Sequence, residues 1–93
     1  MNYMHKGEAA ILLGGHDLIL RVAPEEAMNA TIQMALDRNG LVDVTYVGQI
    51  HIEPNISLAM VRLPGGSVIR GPVEEHEVLP DGGWFKFKPQ FIG

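Results

Sequence analysis

His51 and Glu53 stand two residues apart in a stretch of alternating character, so on an extended chain both side chains leave one face and could share a divalent cation or a proton. A bound metal needs at least a third convergent ligand, which His16, His76 or His5 would have to bring from elsewhere in the chain. The plainer expectation is the polar face of a half-exposed strand, and no metal or cofactor is assigned. Within Glu74-Glu75-His76-Glu77, strand parity turns His76 away from its flanking acids, which makes that run a solvated acidic edge. Nucleophilic chemistry has little to work with. There is no cysteine, and Ser57 and Ser67 sit beside turns, with no strand-turn-helix elbow around them and no histidine next to them in sequence. No catalytic residue is therefore expected. A small metal-assisted or acid–base enzyme using His51 and Glu53, with Asp43 as a further acid, stands as the alternative.

Arg62 and Arg70 flank one turn phrase and are the candidate ligand-binding residues, because a guanidinium fork matches carboxylate and phosphate. Whether they share a face depends on the turn. A two- or four-residue loop pairs residue 62 with 69 and opposes the arginines, whereas a three-residue loop puts both on one face. Four of the six aromatics, Trp84, Phe85, Phe87 and Phe91, fall in the last ten residues and interleave with Lys86 and Lys88. Alternation assigns Phe85 and Phe87 to a core and Trp84 with the two lysines to the opposite face. Trp84 is the candidate interface anchor, since tryptophan is over-represented at binding hot spots. The glycine pairs at 14–15, 65–66 and 82–83 open no helix with nucleotide-loop spacing, and no Gly-Lys-Ser/Thr follows them, so they read as turns.

Composition narrows the partners. Seven basic against eleven acidic side chains give a formal charge of −4, the wrong sign for a protein that binds by neutralising phosphates, and nucleic acid is not an expected partner. The absence of cysteine removes disulfides and thiolate metal sites and suits a reducing compartment, so a cytoplasmic location is expected. The first eight residues are too polar for a secretory leader, and no apolar run approaches the ~18–20 residues a membrane helix needs. No membrane is expected. Residues 1–93 make one domain, small enough that a partner or a second copy covering apolar surface would help it.

The elements that must position these residues are short. Residues 9–13 and 18–22 are apolar runs around Gly14-Gly15-His16-Asp17 and predict a hairpin, nearly continuous in apolar character and so buried on both faces. Pro24, the acids Glu25 and Glu26, and the stop at Asn39-Gly40 predict a helix ending at Arg38, with Met28, Ile32, Ala35 and Leu36 on its buried stripe. From 41 to 53 the alternation predicts one long strand with a bulge or bend at Gly48. Leu63-Pro64-Gly65-Gly66 and Leu79-Pro80-Asp81-Gly82-Gly83 predict two hairpins, with a break at Gly71-Pro72 between them. The expected fold is α+β, in the order β-β-α-β-β-β-β: one helix on a mostly antiparallel, strongly curved sheet of about five to seven strands.

Residues 26–52 resemble the helix-then-strand segment of the small acidic effector proteins of multicomponent monooxygenases, which carry no cofactor and regulate a larger oxygenase by docking. The turn phrases downstream and Gly71-Pro72 depart from that family's continuation, and the assignment is not adopted. The function expected is a non-enzymatic binding protein, a homo-oligomer that docks on a partner protein or holds a small polar or anionic ligand at a subunit boundary. A regulatory or structural subunit of a larger complex is the further alternative.

Overall fold

Residues 30–34 read Ala-Thr-Ile-Gln-Met, apolar and polar in strict turn, and the chain there is extended. The computed structural model describes residues 4–15, 28–48, 50–52 and 55–92, with the backbone alone for Met28, His51, Phe91 and Ile92. Its regular elements are all strands: β1 (His5–Gly14), β2 (Met28–Leu36), β3 (Val42–Val47), β4 (His51–Ile52), β5 (Leu58–Arg62), β6 (Val68–Leu79), β7 (Gly82–Phe87) and β8 (Phe91–Ile92). The sheet runs β2-β3-β7-β6-β5-β1, and β1 returns to pair with β2, so six antiparallel strands close into a barrel. The short β4 lies parallel to the end of β1, and β8 lies against β6. Closure pairs strand edges that an open sheet would leave to water and gives the inward side chains one shared interior.

The α+β architecture is thereby overturned. The expected helix has its described part in β2, while residues 24–27 lie outside the described residues. Met28 and Ile32 are four apart, a spacing that satisfies a strand face as well as a helix face. Pairing decides between them: β2 is bonded along both sides, to β1 and to β3. Ala30, Ile32 and Met34 are buried, while Asn29, Thr31 and Gln33 are exposed, a period of two. Asn39-Gly40 is no helix stop. It belongs to the β2–β3 hairpin turn, where Gly40 has φ +80° and Asp37 Oδ1 accepts the N–H groups of Asn39 (2.8 Å) and Leu41 (3.0 Å). The helix-then-strand resemblance falls with the helix.

Ala9 through Gly14 are all buried in β1, as a continuous apolar run requires. The hairpin partner expected at 18–22 lies outside the described residues, and the neighbours of β1 are β2 and β5. The strand expected over 41–53 is split at Gly48, whose φ of +112° is open to glycine and strained for other residues. The two pieces part company: β3 joins β2 and β7, and β4 joins β1.

Both turn phrases close hairpins, β5–β6 and β6–β7, but Gly71-Pro72 does not break the chain. It lies inside β6, which pairs with β5 up to Pro72 and with β7 from Val73 onward, the register shifting between Val73 and Glu75. That bulge hands one bent strand from one neighbour to the next. Residues 88–90 cross back over the bend: Lys88 donates its N–H to the Pro72 carbonyl (2.9 Å) and Gln90 to that of Arg70 (2.9 Å). A Cβ on Gly71 would collide with the Lys88 carbonyl, so the crossing requires glycine. Inside, Phe85 and Phe87 are fully buried with ring centroids 5.8 Å apart, and Tyr46 sits 6.1 Å from Phe85.

Candidate functional site

Strand register settles how Arg62 and Arg70 stand to one another. Arg62 pairs with Val68 and Met60 with Arg70, which leaves residues 63–67 as a five-residue loop, closed by the Leu63 N–H on the Ser67 carbonyl (2.9 Å). An odd loop preserves parity, so both arginines leave the outer face on diagonal positions. Arg62 also lies opposite Ala10 and borders a cleft of about 240 Å³ with Glu8, Asn29, Leu63 and Pro64. The carboxylate of Glu8 on that cleft offsets the guanidinium. Next to the arginines, the outer face carries a second apolar cluster, with Ala10, Leu12 and Met60 buried and Leu58 and Val68 packed against them. This side of the barrel is therefore covered surface, and Arg62 stands at its margin.

The leading histidine and carboxylate candidates lie largely outside the described residues. His51 is placed in β4 by its backbone, and its side chain and the whole of Glu53 lie outside the described residues, as does His16. Among the described residues no group of three His, Asp or Glu side chains could hold a metal. Asp43 faces outward on β3 opposite Lys86, His5 Nε2 sits 2.9 Å from the Glu8 carbonyl oxygen, and His76 is exposed on β6.

Trp84 is on the outer face, as its parity against the buried Phe85 demands. Its indole N–H donates to Glu77 Oε1 at 3.2 Å across the β6–β7 pair. Around it the surface is apolar. Val47 is 63% exposed and Leu79 48%, and an open cleft of about 440 Å³ runs between Trp84, Thr45, Val47, Leu79 and Pro80. Glu75, Glu77 and Asp81 rim this patch, and Lys86, which shares its face, lies opposite Asp43 and Glu75 in register and 3.8 Å from Asp37.

Tyr46 is a functional candidate that composition did not signal. It points inward from β3 over Gly83, where a Cβ would come 2.7 Å from its hydroxyl. The residue is 2% exposed, and its hydroxyl has no hydrogen-bond partner among the described residues. Burial pushes its pKa above the ordinary phenol value. Tyr46 also lines a groove of about 220 Å³ at the barrel end, with Ile50, Ile52, Val78, Leu79 and Gly82. One wall of that groove is the free side of β6. Past Val73 this strand pairs with β7 alone among the described residues, and residues 74–79 are all exposed. The parity of Glu75 and Glu77 with Lys86 and Trp84 was the available signal for this edge, but it is legible only once β6 is known to continue through Gly71-Pro72.

No helix among the described residues is long and apolar enough to cross a membrane. No family model, no curated protein and no solved structure matches the chain.

Proposed function

We propose that the protein is a binding module without catalytic duty, which docks on a partner protein through the outer face of β3 and β7 around Trp84. The observation that carries this is the patch of exposed Val47 and Leu79 beside the half-buried Trp84, an indole held by Glu77 along a mostly apolar cleft. The barrel fills its own interior, so this patch is not needed to complete the core. Its acidic rim suits a partner with basic residues around an apolar contact, and it disfavours a second copy, which would set like charges against each other. The absence of cysteine is compatible with a reducing compartment such as the cytoplasm, where we propose that it works.

Photo-crosslinking in cells tests it, with the reactive residue placed at Val47, Leu79 or Trp84 and, as a control, at Ser67 in the β5–β6 turn. The expected result is one discrete adduct from the three patch positions and none from the control. An adduct of twice the chain's mass would replace the partner with self-association, and equal labelling at all four positions would remove the patch from consideration.

A second function is favoured by one observation, the shared outer face of Arg62 and Arg70 with a cleft at Arg62. It is capture of a small carboxylate or phosphate. Its volume of about 240 Å³ lies below the roughly 300–1,000 Å³ of ordinary small-molecule sites, which ranks it second. Calorimetric titration with phosphate and with succinate checks it; heat lost in Arg62→Ala supports the site, and no heat at millimolar ligand removes it.

A further inference from the structure

We infer that the free edge of β6 takes up an extended segment of the partner protein as an added strand, and that this segment alternates apolar with basic side chains. The inference rests on the docking function above and names how the partner engages. Three independent features converge on it. The first is the backbone of residues 74–79, which is bonded to β7 on one side and to nothing on the other among the described residues. Every second residue of such an edge directs its N–H and C=O outward, which is the template for strand addition.

The second is the groove beside that edge. An added strand would lie between β6 and the barrel end formed by Ile50 and Ile52, over a hollow of about 220 Å³. Small-molecule sites run larger, at roughly 300–1,000 Å³, so the hollow suits side chains delivered by a strand. On β6 the residues whose register partners are the core positions Phe85 and Gly83 are His76 and Val78. Residues opposite these two would face the groove. Val78 is 50% exposed there, and with Ile50 and Ile52 it gives the groove an apolar lining, which suits the apolar half of the alternation.

The third is charge. Glu75 and Glu77 share the outward face with Lys86 and Trp84, so residues opposite them on an added strand would face outward beside two carboxylates. Cross-strand pairs of opposite sign stabilise and like pairs destabilise, which makes lysine or arginine the fitting residue. Pairing of two β6 edges from two copies would instead stack glutamates, so the occupant is a different chain.

The test uses the full chain, labelled with ¹⁵N, and three capped nonapeptides: alternating lysine and valine, the same composition with the lysines and valines in separate blocks, and alternating glutamate and valine. The alternating lysine peptide is expected to shift and protect from exchange the amides of residues 74–79 and those lining the groove. The blocked and glutamate peptides should bind at least tenfold more weakly. Methylating the peptide's backbone nitrogens on the edge-facing side should abolish binding with the protein untouched, and Glu75→Lys should weaken it at least tenfold. Absence of binding, equal binding by the glutamate peptide, indifference to N-methylation, or shifts confined to Val47 and Trp84 would each overturn the inference. Crosslinking from Trp84 would persist in those cases if the docking face alone is right, and its loss would mark failure of that face instead.

Discussion

Asp37 and Tyr46 are the two side chains whose surroundings most clearly change their chemistry. Asp37 accepts from the Leu41 N–H and from the Asn39 N–H, with Lys86 Nζ 3.8 Å from its other oxygen, and these hold its pKa below the ordinary carboxylate value. A lowered folded-state pKa contributes stability that is present above the unfolded value, near 4, and disappears as pH falls through the folded one. The Asp37→Asn variant should therefore lose part of the acid dependence of unfolding, which urea titrations between about pH 2 and 6 would show. Tyr46 behaves oppositely. Its raised pKa means that its contribution is intact below the ordinary phenol value, near 10, and is lost as pH climbs past it. In Tyr46→Phe that alkaline loss should vanish. Removing a buried hydroxyl that has no partner among the described residues should also leave the barrel as stable or about 1 kcal/mol more stable by urea denaturation. A loss of more than about 2 kcal/mol would show that the hydroxyl is bonded after all.

β2 shows how far alternation can be read from sequence and where it misleads. Residues 28–36 carry apolar side chains at spacings of two and of four, and the four-residue subset is common to a helix and to a strand. Pro24 and the glutamates after it favour a helix, although Asn-Gly flanked by alternating apolar residues is a hairpin signal of the same strength. Nothing local could weigh the ladders to β1 and β3, which are contacts across the sequence. The β2 assignment predicts that Ile32→Ala costs about 2–5 kcal/mol, while Leu36→Ala, at a barrel end and 49% exposed, costs less than about 1. A helix would make Leu36 as costly as Ile32.

The β6 bend was equally hidden. Gly71-Pro72 has the residue types of a break, and only the passage of Lys88 over Gly71 explains why glycine serves within a strand. Gly71→Ala should cost at least about 1–3 kcal/mol, whereas Gly65→Ala, in open space at a turn, should stay within about 0.5. Thermal unfolding of the two variants side by side checks this, and equal melting points would contradict the crossing. By contrast, the strand character of 9–13 and 42–47, the bend at Gly48, the two hairpin turns, and the opposed faces of Trp84 and Phe85 were all legible, because each depends on residues adjacent in sequence.

At the scale of the whole molecule, closing the barrel changes what the apolar content means. An apolar fraction of 46% suggested surface left for a second copy to cover, but most of it fills one interior and a smaller cluster on the outer face. Of the exposed apolar side chains, Val47 and Leu79 lie beside Trp84 and Val78 faces the adjoining groove at the same end of the barrel, beside a strand edge unpaired among the described residues, while Met4 and Leu36 are exposed outside this group. Register, which the sequence left open, brings Arg62 and Arg70 to one face. Placement on that face also shows Arg62 bordering a cleft with Glu8 beside covered surface, and this weakens the anion site. The candidates that sequence spacing favoured were the polar ones, whereas the fold sets exposed apolar side chains, Val47 and Leu79, beside Trp84.

That asymmetry makes the Trp84 face the central claim, and co-purification of partner with the double variant Val47→Asp, Trp84→Ala tests it most directly. Recovery of the partner should fall at least tenfold relative to the unaltered chain, while the variant's melting temperature stays within a few degrees, since both side chains point out of the barrel. Undiminished recovery by a folded double variant would contradict it.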